Sequence, residues 1–155
     1  MGRVRAEIEV SGLASEAEEL WYDTSRWPTF VDGLAHVAKV EGDWPREGRV
    51  LWDAKVDGRG RVDEHVLAHE ARVGQTVAIE DEKITGTQRV EFHPSDHGCR
   101  LVLSLEYQLK MHKPVGLVID AFARRPLRDS LKRTLRRFQR ELEAGDPFEV
   151  APPSL

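Results

Sequence analysis

The chain has 155 residues, the length of a single domain able to bury about 70% of its unfolded surface. Its lone cysteine excludes an internal disulfide framework and fits a reducing, cytoplasmic setting. No apolar run approaches the ~18 residues of a membrane-spanning helix, and the start Met1-Gly2-Arg3-Val4-Arg5 lacks the apolar stretch of a secretion signal.

Residues 3–10 alternate, with Val4, Ala6, Ile8 and Val10 against Arg3, Arg5, Glu7 and Glu9, which predicts a half-buried strand. Ser15-Glu16-Ala17-Glu18 has the spacing of a capping box, with Ser15 as N-cap, and predicts a short helix to about Tyr22. Ser25 is placed to cap a second short helix, with Pro28 in its first turn and Gly33 after its end. From Leu34 the period becomes two. Strands are predicted over 34–41, 49–56, 61–72, 76–83, 87–93 and 99–110, punctuated by turn residues that include Asp57-Gly58.

The last element is a long helix over about 114–143. Leu127, Leu131, Leu135, Phe138 and Leu142 fall within about an 80° arc at ~100° per residue, and Ile119 and Ala123 extend the stripe. Pro126 should kink this helix, because it removes a backbone donor. The order strand, helix, helix, six strands, long helix predicts an α+β domain over residues 1–145. Its antiparallel meander would be covered on the apolar face by the last helix, with residues 146–155 as a loose tail.

Net charge is −4 but unevenly placed. Residues 110–140 hold ten Lys/Arg against two acids, net +8, and the remainder is −12. A solvated basic face is the plain reading; a transient contact with anionic membrane is the sharper one. No aromatics interleave with the arginines, so no nucleic-acid partner is expected.

Three segments carry a family resemblance. Ser25-Arg26-Trp27-Pro28-Thr29-Phe30 is similar to the Trp-Pro-x-Phe segment of the START / Bet v 1 superfamily. Glu47-Gly48-Arg49-Val50 and Asp96-His97-Gly98-Cys99-Arg100-Leu101 also fit, with Cys99 where that family usually has Thr. Over about residues 3–143 the chain resembles the polyketide cyclase/dehydrase-like branch. The resemblance implies a helix-grip fold, in which a curved antiparallel sheet of about seven strands wraps round a long C-terminal helix. Between them it implies a cavity for a hydrophobic small molecule. It does not imply chemistry, because the superfamily mixes carriers, sensors and enzymes.

The residues themselves point to few reactions. His65 and His69 would stand ~13 Å apart on a strand, too far to share an ion. His93, Asp96 and His97 surround a turn, and no metal or other cofactor is expected. Cys99 opens an apolar strand and reads as a buried, inert thiol. Glu64 shares a face with Val62, Val66 and Ala68. It is either an inward carboxyl of raised pKa or a carboxylate at the sheet edge, in water or paired with an arginine. His36 shares a face with Leu34, Ala38 and Val40, and Tyr107 lies on the leucine face of the last strand. Glu64, His36 and Tyr107 are therefore the candidate acid/base groups. Trp27, Phe30, Trp52, Phe92, Tyr107, Val118 and Phe122 are the candidate ligand-lining residues.

The expected void lies under the helix segment before Pro126, where Gly116 and Phe122 depart from the regular stripe. The expected function is binding or carriage of a lipid, quinone or polyketide-like molecule, by a monomer or homodimer. The alternative is a cyclase or dehydratase that uses cavity acid/base groups.

Overall fold

The computed structural model describes residues 1–55, 59–110 and 116–144, without the side chains of 116–122. The elements are β1 (Gly2–Val10), α1 (Ala14–Tyr22), a 3-10 turn (Thr24–Arg26), α2 (Trp27–Phe30), β2 (Leu34–Glu41), β3 (Arg49–Ala54), β4 (Arg61–Glu70), β5 (Gly74–Glu80), β6 (Ile84–Ser95), β7 (Gly98–Leu109) and α3 (Gly116–Ala144). Expectations for Val56, Asp57, Gly58, His112, Pro114, Gly145 and the tail 146–155 lie outside the described residues.

All seven strands form one antiparallel sheet in the order β1-β7-β6-β5-β4-β3-β2. Successive strands pair, and β1 closes onto β7 with Gly2 opposite Tyr107 and Val10 opposite Cys99. A sheet of this size twists, and here it curls into an open, curved surface around α3. Close approaches permit the curl. A Cβ on Gly86, inside β6, would lie 2.0 Å from the carbonyl of Glu106 on β7, so only glycine fits there. Gly33, at φ +77°, makes the turn from α2 into β2.

The concave face is apolar. Val50, Trp52, Val62, Ile79, Val90, Leu101, Leu103 and Leu105 are buried on it. α3 lays its stripe into this trough, with Leu131, Leu135 and Phe138 buried. Phe138 meets Trp21 and Phe30 edge-on, with ring centroids 5.4 and 5.3 Å apart. The far end of α3 is tied to β1, where Gln139 Nε2 donates to the Glu9 carbonyl at 2.8 Å. The helix runs unbroken through Pro126.

Two caps differ from expectation. Leu13 rather than Ser15 is the N-cap of α1, and Glu16 accepts from its backbone N–H at 3.4 Å. Glu18 is drawn elsewhere: it is buried and accepts from both the backbone and the guanidinium of Arg72. Asp23 rather than Ser25 opens the 3-10 turn, accepting from the Ser25 N–H at 3.1 Å. Strand ends also moved. Gly74 starts β5 instead of breaking a strand, and Gly86 and Pro94 lie inside β6, because cross-strand pairing continues past them.

Leu135 is 1% exposed at the centre of the helix–sheet seam. Leu135→Ala should therefore lower unfolding free energy by about 2–5 kcal/mol, the range for a buried leucine. Urea denaturation checks this, and a loss under about 1 kcal/mol would show that the seam is not tightly packed.

Candidate functional site

Two adjoining cavities lie between the sheet and the part of α3 from Ala123 to Thr134. The outer one has a volume of about 470 Å³, with Ala54, Ile84, Leu109, Ala123, Pro126 and Leu127 on its walls. The inner one, of about 40 Å³, lies deeper between Trp27, Phe30, Trp52 and Leu131 and has a polar floor of Glu64, Gln75 and Gln88. At ~15 Å³ per water it has room for a polar group of a few atoms, not for a ring system. Asp32, Arg59 and Ser130 border both cavities.

Glu64 projects from β4 onto the concave face, opposite Val50 on β3 and Ile79 on β5. Alternation puts it there, and its residual exposure is 6%. Trp52 Nε1 donates to Glu64 Oε2 at 2.7 Å. Burial pushes the pKa of this carboxyl up, and the Trp52 hydrogen bond and the charge of Arg59 only partly oppose the rise. Of the two sequence readings of Glu64, the inward one describes its position. Arg59 lies over the Trp52 ring at 5.5 Å, and its Nε is paired with Asp81.

Asp32, in the turn between α2 and β2, latches α3 to the rest of the site. Its backbone N–H donates to Thr134 Oγ1 at 2.9 Å. Its carboxylate accepts from Ser130 Oγ at 2.8 Å, from Arg133 Nε and Nη2 at 3.0 and 3.1 Å, and from Arg137 Nη1 at 3.1 Å. Burial alone would raise its pKa, but these hydrogen bonds and the two arginine charges outweigh that and hold the carboxyl below its ordinary value.

Other candidates fall elsewhere. His36 is a correction: it points outward and pairs with Asp53 Oδ2 at 2.8 Å. A β-bulge between Leu34 and His36 shifts the alternation that placed it beside Leu34. A bulge in β4, between Val66 and Ala68, exposes Ala68 and turns His69 towards Tyr22 and Glu18, while His65 faces solvent. Tyr107 and Phe92 are buried on the concave face but line neither cavity. Tyr107 covers Gly2, and Phe92 packs against Tyr22 with centroids 6.0 Å apart. Trp27, Phe30 and Trp52 line the inner cavity. Val118 and Phe122 lie outside the described side chains. Burial raises the pKa of the Cys99 thiol, which leaves it poorly nucleophilic. Among the described residues no group of three His, Cys, Asp or Glu is placed to hold a metal ion.

Sequence reasoning missed Asp32, Arg59, Asp81, Ser130 and Thr134. Ser130 and Thr134 carried a signal, since they stand four apart at the edge of the apolar stripe. The other three lie outside regular elements, where no periodicity gives direction.

An open curved sheet gripping one long helix, with a cavity between them, defines a helix-grip protein of α+β class. The family described as polyketide cyclase/dehydrase and lipid transport matches residues 1–143, so the chain belongs to it. No curated protein matches the chain. Among solved structures it is similar to TTHA0849 from Thermus thermophilus, with TM-score 0.76 and 17% identity, over 94% of this chain and 99% of that one. A START superfamily protein from Mycobacterium smegmatis superimposes with TM-score 0.73 and 14% identity, over 92% and 97% of the two chains. The di-domain ARO/CYC protein StfQ from the steffimycin biosynthetic pathway does so with TM-score 0.72 and 17% identity, over 92% of this chain and 50% of that one. At these identities the likeness is one of fold. No helix among the described residues is long and apolar enough to cross a membrane.

The state of Glu64 can be read from stability. Its folded pKa is raised, so the folded protein holds a proton that the unfolded chain has released. Its contribution to stability is complete below the unfolded value and is lost as pH rises through the folded one. Glu64→Gln keeps the acceptor for Trp52 and cannot ionise. The variant should gain stability relative to the parent between pH 5 and pH 8, measured by urea denaturation at both. A difference between the two proteins that stays constant with pH would show that Glu64 is not held protonated.

Proposed function

We propose that this protein binds a hydrophobic or aromatic small molecule, of lipid, quinone or polyketide-like type, between sheet and α3, as a carrier or binding module. The observation that carries this reading is the outer cavity. Its volume of about 470 Å³ falls within the ordinary range for ligand pockets, and aliphatic side chains make up much of its wall. A second reading, cyclase or dehydratase chemistry, rests on Glu64. A buried carboxyl of raised pKa beside the cavity floor is the kind of group that moves a proton near neutral pH.

Native mass spectrometry of the purified protein should find a small molecule bound at one per chain. Ala123→Trp, which fills the outer cavity, should remove it or weaken a hydrophobic dye about tenfold or more, the effect of losing roughly one side chain's worth of apolar contact. Phe138→Ala should chiefly lower stability, by about 3–5 kcal/mol. Equal effects of the two substitutions on dye binding would refute the placement. A bound molecule that loses one water on incubation with the protein, and not with Glu64→Gln, would favour the dehydratase.

We also propose that the basic face of α3 makes transient contact with anionic membrane. Arg125, Arg128, Lys132, Arg136 and Arg140 are exposed along it, and none has an ion-pair partner among the described residues. Flotation should recover the protein with phosphatidylserine vesicles and not with phosphatidylcholine. The binding should disappear near 0.5 M salt, where the Debye length shrinks to about 4 Å. Equal recovery with both lipids would remove the proposal.

A further inference from the structure

The connection between β1 and α1 carries Leu13, which is 66% exposed. An exposed leucine is ordinary by itself, and Leu67 on β4 is another. Leu13 differs in what its connection is fastened to. The backbone N–H of Ser11 donates to Glu143 Oε2 at 3.3 Å, and Gln139 Nε2 donates to the Glu9 carbonyl at 2.8 Å. Both bonds reach the last turns of α3. At about 100° per residue, Glu143 sits at the same angle round the helix axis as Arg125 and within roughly 20° of Lys132 and Arg136. Phe138, in the seam, stands about 140° away. The connection therefore meets α3 on its basic face, not on its core stripe. Exposed cations run along that face from Arg125 to Arg140, about 22 Å at 1.5 Å per residue, and the connection that bears Leu13 attaches at the far end of the row.

On the reading that the basic face of α3 contacts anionic membrane, we propose that Leu13 is the apolar anchor of that contact and enters the bilayer beneath the headgroups, with Arg136 and Arg140 at the phosphates beside it. Charge selects the partner, because a row of cations is complementary to anionic headgroups. Size argues against a protein partner, because one leucine offers far less than the roughly 800 Å² that each side of a stable protein interface buries. The backbone at Leu13 is ready to leave water. Its N–H donates to Glu16 Oε1 at 3.4 Å, and its carbonyl accepts from the N–H groups of Glu16 and Ala17 at 3.0 and 3.1 Å. Both polar groups are thus engaged within the chain, as a position entering hydrocarbon requires. Anchoring at this end, with the cations along the rest, lays the axis of α3 along the membrane.

The test uses the full chain and vesicles of equal parts phosphatidylserine and phosphatidylcholine. Leu13→Ser should weaken binding to them about tenfold, the effect of one apolar side chain left in water. Serine is a favoured N-cap residue, so α1 should keep its start. Leu67→Ser, the same change on β4, should alter binding by less than about twofold. Cys99 is buried and is the chain's one cysteine, so a nitrobenzoxadiazole label can be directed to an added thiol. On Leu13→Cys the label's emission should rise and shift to the blue with these vesicles, and nitroxide-bearing lipid should quench it. On Leu67→Cys neither change should occur. Binding unaltered by Leu13→Ser, or a label at position 13 that behaves like the one at position 67, overturns the anchor and leaves the contact of the basic face standing. Failure of the parent protein to bind the vesicles overturns both.

Discussion

The trough of the curled sheet has to be covered, and α3 is the element that covers it. Seven strands present Val50, Val62, Ile79, Val90 and the leucines of β7 on one surface, which water would otherwise wet. A helix contacts a curved surface well along one line. Where the stripe of Leu131, Leu135 and Phe138 meets α1, α2 and β7, the packing closes. Towards Ala123 and Pro126 it does not, and the cavities are the geometric remainder. Core and site are thus two ends of one seam.

That seam is also where the charges are handled. Asp32 is partly buried, yet five hydrogen bonds with Thr134, Ser130, Arg133 and Arg137 join its residue to α3. Removing any one partner leaves the others, so the latch tolerates a fluctuation without releasing the helix. Glu64 is the opposite case. It has a neutral indole N–H and the charge of Arg59 as support, and these only partly offset the burial that pushes its pKa up. One carboxyl is therefore held below its ordinary pKa and the other above it, with environment alone separating them.

Much of this was legible in the residues. The alternation of β1 and the burial of the α3 stripe follow from periods of two and 3.6, because side-chain direction is dictated locally wherever the backbone is regular. Glu64 was found by the same alternation. His36 was misplaced by it, since a bulge inserts a residue and reverses every side chain beyond it. Ala68 and His69 exchanged roles for that reason. Bulges are demanded by the curvature of the whole sheet, so no local pattern announces them.

The chain by itself determined the order of elements, the apolar faces and the family resemblance, because these depend on spacing along the backbone. Tertiary structure alone decided which polar groups meet. Asp32, Arg59 and Asp81 come from separate connections, and Ser130, Arg133 and Thr134 from one helix, yet all converge on the cavities. Their convergence depends on how far the sheet curls and how α3 crosses it. Those are properties of the packed molecule, set by side chains far apart in sequence, and no window of residues contains them.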